Sequence, residues 1–223
     1  LIPPSKQRGI PFYNTPKFSL DATRALRVGV VQGLCLGDPD VDAASRHDGC
    51  LQAQSMSELA RNGFVVHPRY PTIWNSQNTA VVTDLLPAYG MIPGVGRMDD
   101  IYASIVCRKV MVAAGLHVFF GRPAIFQSRN SHRNVADMRA ELAGYEGVGQ
   151  LEEFISGLEL AALPNGLSVR QMVSAYIWQI WHAIPDTILE KLSAGDFDPQ
   201  RIRPAMLAYA VDCEAAFRER AGL

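Results

Sequence analysis

Asp99-Asp100-Ile101-Tyr102, continuing through Cys107 and Met111 to Ala114-Gly115-Leu116-His117-Val118-Phe119-Phe120, decides how the rest of the chain is read. Two adjacent acids follow a Gly-rich loop, Gly90 to Gly96, and stand where a helix begins. A carboxylate there suits the free N–H groups and the positive end of the helix dipole. The spacing predicts a helix to about Ala114, closed by Gly115. Leu116 to Phe120 is then an apolar run of strand length. A helix that feeds directly into a buried strand predicts an α/β fold.

Upstream, Arg27 to Gln32, Phe64 to His67 and Thr79 to Val82 read as short strands. Val41 to Arg46 and Gln54 to Arg61 read as short helices, the second stopped by Asn62-Gly63. Residues 1–24 and 87–97 are rich in Pro and Gly and read as loop. Downstream, 121–133 reads as a polar loop and Val135 to Leu142 as helix. From residue 149 only helical periods remain: Leu151-Phe154-Ile155-Leu158, Val169-Met172-Val173-Tyr176-Ile177-Ile180, Ile188-Leu192 and Met206-Tyr209-Ala210-Cys213-Phe217. Pro164-Asn165-Gly166 separates two of them, and Ser168 is placed to cap the next. Residues 1–148 are therefore expected to be mixed α/β, and 149–223 an all-helical extension. Ile177-Trp178-Gln179-Ile180-Trp181 sets two Trp three apart. They either pack on the α/β body or face a partner chain or second copy.

The chain of 223 residues is long enough for one large domain, and 48% hydrophobic with 19% charged residues suits a packed core. The net charge of −1 lends no support to nucleic-acid binding. Arginine outnumbers lysine heavily (the lysines are Lys6, Lys17, Lys109 and Lys191), which suits phosphate recognition and equally suits a solvated surface. Cys35, Cys50, Cys107 and Cys213 form no metal-binding spacing and are read as reduced thiols of a cytoplasmic protein, with extracellular disulfides as the alternative. No run of roughly 18 apolar residues reads as a membrane span. The opening Leu1-Ile2-Pro3-Pro4 leads to the expectation that something precedes it in the natural protein.

Three segments carry candidate chemistry. Gly37-Asp38-Pro39-Asp40-Val41-Asp42-Ala43 alternates carboxylates that an extended chain would set on one side, for a cation or for sugar hydroxyls. Asp40 or Asp42 could instead cap the following helix. Trp74-Asn75-Ser76-Gln77-Asn78-Thr79 could present amides to a ligand, or form an Asx-type turn. Asp99-Asp100 could supply a general base, or two N-caps.

In this order the three segments resemble the STELLO family of glycosyltransferase-like proteins. More distantly they resemble the plant reversibly glycosylated polypeptides, the UDP-arabinopyranose mutases. Pro123-Ala124-Ile125-Phe126-Gln127-Ser128-Arg129-Asn130 also resembles a mutase segment, and the likeness covers roughly residues 9–160. It implies the acceptor-side part of a GT-A fold, a mixed sheet with flanking helices. It further implies sugar transfer from a nucleotide-sugar donor to a hydroxyl acceptor, with inversion, or sugar-ring isomerisation as in the mutases. By that match Asp100 is the base, Asp99 holds a hydroxyl, Asn75, Ser76, Gln77 and Asn78 line the sugar pocket, and Asp38, Asp40 and Asp42 sit at the same cleft. The family holds Mn²⁺ or Mg²⁺ on the diphosphate through an acidic motif upstream of the matched region. Gln127 falls where many GT-A enzymes place a metal-binding His, and His132 is the nearby candidate ligand. A non-catalytic subunit that binds sugar nucleotide or another chain is the alternative from a different class.

Overall fold

The computed structural model describes residues 25–47, 52–66, 70–129, 131, 133–193 and 197–221. The stretch around Asp100 folds as expected: α3 (Asp99–Ala113) leads directly into β4 (His117–Gln127). Gly115 adopts φ +70°, and the Leu116 N–H bonds the Met111 carbonyl (2.8 Å) while the Gly115 N–H bonds that of Val112 (3.1 Å). This is the hydrogen-bond pair of a Schellman turn. β4 lies parallel to β1 (Val28–Gly37). The short strands β2 (Phe64–Val65) and β3 (Thr79–Val81) flank them antiparallel, so the mixed sheet runs β2-β4-β1-β3. The helices α1 (Ala43–His47) and α2 (Glu58–Asn62) lie between β1 and β2 in sequence. α2 begins four residues later than its predicted start, because Ser57 caps it by accepting from the Ala60 N–H.

β4 extends well past Phe120. Gly121, Arg122 and Pro123 read locally as loop, but the parallel ladder carries β4 to Gln127 opposite Gly37, with an irregularity between Gly33 and Cys35. The pairing partner overrides the local propensity.

α3 is buried almost all round, from Asp100 to Arg108 and again at Val110 and Met111. Such a helix forms the centre of a fold. The Arg108 guanidinium is held there by Glu152 of α4 (Asn134–Gly157), whose carboxylate also accepts from the Ser156 hydroxyl (2.7 Å). α4 comes close to α3 because it is glycine-faced. A Cβ on Gly144 would sit 2.2 Å from Met98 Cγ, and one on Gly147 would sit 2.6 Å from the Tyr102 hydroxyl oxygen.

α4 is one helix where the sequence suggested two, and it runs straight across residues 148 and 149. The helices α5 (Val169–Ala183), α6 (Asp186–Leu192) and α7 (Ile202–Ala221) follow, with Ser168 and Gln171 forming a capping box before α5. Ile177, Trp181, Leu192 and Ile202 belong to the same core as Val30, Ile105 and Val118, so the helical extension packs on the α/β part as one body. Of the two tryptophans of α5, Trp181 is buried, while Trp178 is exposed and stacks on His182 with ring centroids 5.2 Å apart. Among the described residues no helix is long and apolar enough to cross a membrane, and Cys35, Cys107 and Cys213 are free thiols.

Candidate functional site

At its C-terminal end β1 turns on Gly37, whose φ is +84° and where a Cβ would lie 2.3 Å from the Gln127 carbonyl oxygen. The turn delivers Asp38, Asp40 and Asp42 onto different partners. Asp38 pairs with Arg46 (2.6 Å). Asp42 caps α1, accepting from the Ser45 N–H (2.7 Å) and hydroxyl (3.0 Å). Only Asp40 turns inward, and it is buried. The alternation predicted for an extended chain does not hold here, because α1 starts at Ala43 and places Arg46 within reach of Asp38.

Asp40 meets the polar loop. Its Oδ2 accepts from the Asn75 amide (2.6 Å) and its Oδ1 from the Arg129 guanidinium (2.8 Å). The same Arg129 nitrogen donates to Gln77 Oε1 (2.5 Å), and the Gln127 amide lies 2.9 Å from that oxygen. Asn75 Oδ1 accepts from the Gln77 N–H (3.1 Å), which is the Asx-type turn. Gln32, buried in the middle of β1, donates to the Gln77 carbonyl (2.8 Å). The Thr79 hydroxyl donates to the Asn75 carbonyl (2.7 Å). Asn78 takes a left-handed conformation, φ 51°, and its carbonyl accepts from the Gly33 N–H (2.8 Å).

The other end of the loop is fastened to α3. Asp100 Oδ2 accepts from both the N–H (2.8 Å) and the hydroxyl (3.0 Å) of Ser76. Asp100 is thus no N-cap of its own helix; its carboxylate, 5% exposed, bridges α3 to the loop. Asp99 Oδ1 accepts from the Asp100 N–H (2.8 Å). Beneath lie Trp74 and Tyr89, with ring centroids 5.9 Å apart. Burial, and then the Asp100 charge, push the Tyr89 phenol above its ordinary pKa. Among the described residues neither the Trp74 indole N–H nor the Tyr89 hydroxyl finds a hydrogen-bond partner.

The structure therefore joins Asp40, Asn75, Ser76, Gln77 and Asp100 in one cluster and sends Asp38 and Asp42 elsewhere. Asp40, Asn75 and Asp100 are buried, while Ser76 and the neighbouring Asn78 are exposed. No family model matches the chain, and no curated protein matches it.

Arg129, Gln32 and Glu141 lie outside the three candidate segments of the sequence, yet the fold brings them to the cluster or its approach. Gln32 carried a signal, a lone amide between Val31 and Gly33 in an apolar strand. Arg129 carried one only through the segment 123–130. Glu141, 1% exposed, anchors the approach to the cluster: it accepts from the Ala43 N–H (2.9 Å), the Tyr145 hydroxyl (3.1 Å) and Arg97 (3.4 Å). His132 lies outside the described residues. Among those described, no three His, Cys, Asp or Glu side chains form a group able to hold a metal ion. The donors of Asp38, Asp40 and Asp42 do not fit one either, since each is drawn to a different partner.

Proposed function

We propose that this chain forms the acceptor-side part of a nucleotide-sugar glycosyltransferase of the GT-A type. In this reading Asp100 removes the proton from an attacking hydroxyl. The hydroxyl oxygen bonds the anomeric carbon, and the nucleoside diphosphate departs with the electron pair of the glycosidic bond. Asp99 orients a hydroxyl, and Ser76, Gln77 and Asn78 form the rim against which the sugar lies. One observation carries the reading: Asp40 and Asp100, distant in sequence, grip neighbouring residues of a single polar loop, Asn75 and Ser76. Chemistry supports it: the buried carboxylates of Asp40 and Asp100 are acceptors suited to the hydroxyls of a sugar or an acceptor.

A second reading is favoured by the same hydrogen bonds. Asp40, Asn75, Gln77 and Arg129 satisfy one another, as a structural network does, which suits a non-catalytic sugar-binding or partner subunit. Calorimetric titration with a panel of nucleotide sugars and the free sugars, followed by a transfer assay on whichever binds, separates the two. Binding that is lost in Asn75→Ala, together with transfer, supports the enzyme. Binding without transfer supports the second reading in its sugar-binding form, and no binding by the unaltered chain overturns the enzyme and the sugar-binding subunit alike.

A further inference from the structure

We infer that α4 is a dimer interface along which two copies of this chain pair antiparallel. The carrying observation is a seam that stays open among the described residues. Val135, Met138, Leu142, Tyr145 and Gly149 follow one another at spacings of three and four. Val135, Leu142 and Tyr145 are 57%, 58% and 47% exposed, while the opposite side of α4, with Gly144, Val148 and Leu151, is buried in the chain's own core. An apolar strip at this spacing is complementary to another helix with the same strip. α4 is already held by its inner face, so pairing orders side chains without having to fold a helix.

Charge and shape select a second copy and its direction. Arg139 and Glu146, both exposed, border the seam on the same side. Antiparallel pairing that sets Leu142 against Tyr145 of the partner subunit also sets Met138 against Gly149 of the partner subunit. In that register Arg139 faces Glu146 of the partner subunit, and the two-fold axis makes the contact twice. Parallel pairing offers Glu146 no such partner, because the position it would then face, Glu141 of the partner subunit, is buried. Gly149 is otherwise unexplained. Among the described residues a Cβ there would meet nothing within 4 Å, yet glycine inside a helix costs about 1 kcal/mol relative to alanine. Opposite Met138 the missing side chain becomes a recess that the thioether fills.

Sedimentation velocity of the whole chain over a dilution series tests the inference. The unaltered protein is expected to dimerise on concentration. Leu142→Glu, at an exposed position, should stay monomeric with an unchanged circular-dichroism spectrum. Arg139→Glu turns two contacts repulsive and should move the midpoint to roughly tenfold higher concentration. Arg139→Glu combined with Glu146→Arg should return it. A monomer at every attainable concentration overturns the inference, as does a dimer that survives Leu142→Glu or a double variant that fails to recover.

Discussion

Replacing Asp100 by Asn separates what this carboxylate does for the fold from what it does for chemistry. Its Oδ2 accepts two hydrogen bonds from Ser76, at 2.8 and 3.0 Å, in a position that is 5% exposed. Hydrogen bonds to a charged group contribute about 1.5–3 kcal/mol each, against about 1 kcal/mol for a neutral pair. Asparagine keeps one carbonyl oxygen for the Ser76 N–H, but the bonds lose their charge. The net loss comes to roughly 2 kcal/mol. For a domain of this size that lowers Tm by about 6 °C. Calorimetry on the single variants, Asp100→Asn and Ser76→Ala, and on the double variant reads the coupling between the two side chains, expected near 1 kcal/mol. An unchanged Tm in Asp100→Asn, or strictly additive variants, refutes the bridge between α3 and the loop. The same preparation, assayed below its melting point, tests the base: turnover should vanish in Asp100→Asn and persist in Ser76→Ala. Turnover retained in Asp100→Asn removes Asp100 from the proposed reaction.

Glu141→Ala strips the buried acceptor from Ala43, Tyr145 and Arg97 at once and should cost about 2–4 kcal/mol, read as a lower urea midpoint at constant slope. Glu141→Gln keeps the volume and one acceptor oxygen and should recover part of it; equal loss in both would assign the whole effect to the carboxylate charge, and full recovery in Glu141→Gln would point to packing alone. Stability should also fall in alkali. Burial raises the pKa of Tyr89, Tyr102 and the Cys107 thiol, so the fold holds their protons after the unfolded chain has released them. Their contribution is whole below the unfolded values, near 8.5 for the thiol and about 10 for the phenols, and is lost as pH rises beyond them. Each such group then removes about 1.4 kcal/mol per pH unit. A urea midpoint that stays level above pH about 10 would contradict this.

Local chemistry made several elements readable in advance. The apolar run after Gly115, the Ser168 cap and the Asn62-Gly63 stop each act within a few residues, and each reappears in the fold. The α/β character and the helical extension followed from the change of hydrophobic period. The continuity of α4 was hidden by Gly144, Gly147 and Gly149, which weaken a helix taken alone. Packing explains the first two, because they admit Met98 and Tyr102. The length of β4 was hidden by Pro123, and only its ladder with β1 reveals it.

The candidate site divides along the same line. The resemblance, through the order of three polar segments, implies one cleft for Asp38, Asp40 and Asp42, for Asn75 to Asn78 and for Asp99-Asp100; the fold joins Asp40, Asn75, Ser76, Gln77 and Asp100 and sends Asp38 and Asp42 elsewhere. Which partner each carboxylate takes was decided in three dimensions. Asp38, Asp40 and Asp42 are chemically alike and evenly spaced, yet one meets Arg46, one meets Asn75 and Arg129, and one caps a helix. Periodicity and turn chemistry are short-range and can be read from neighbours. The partner of a buried charge depends on residues brought close by the fold, as Arg129 is brought to Asp40 across 89 positions.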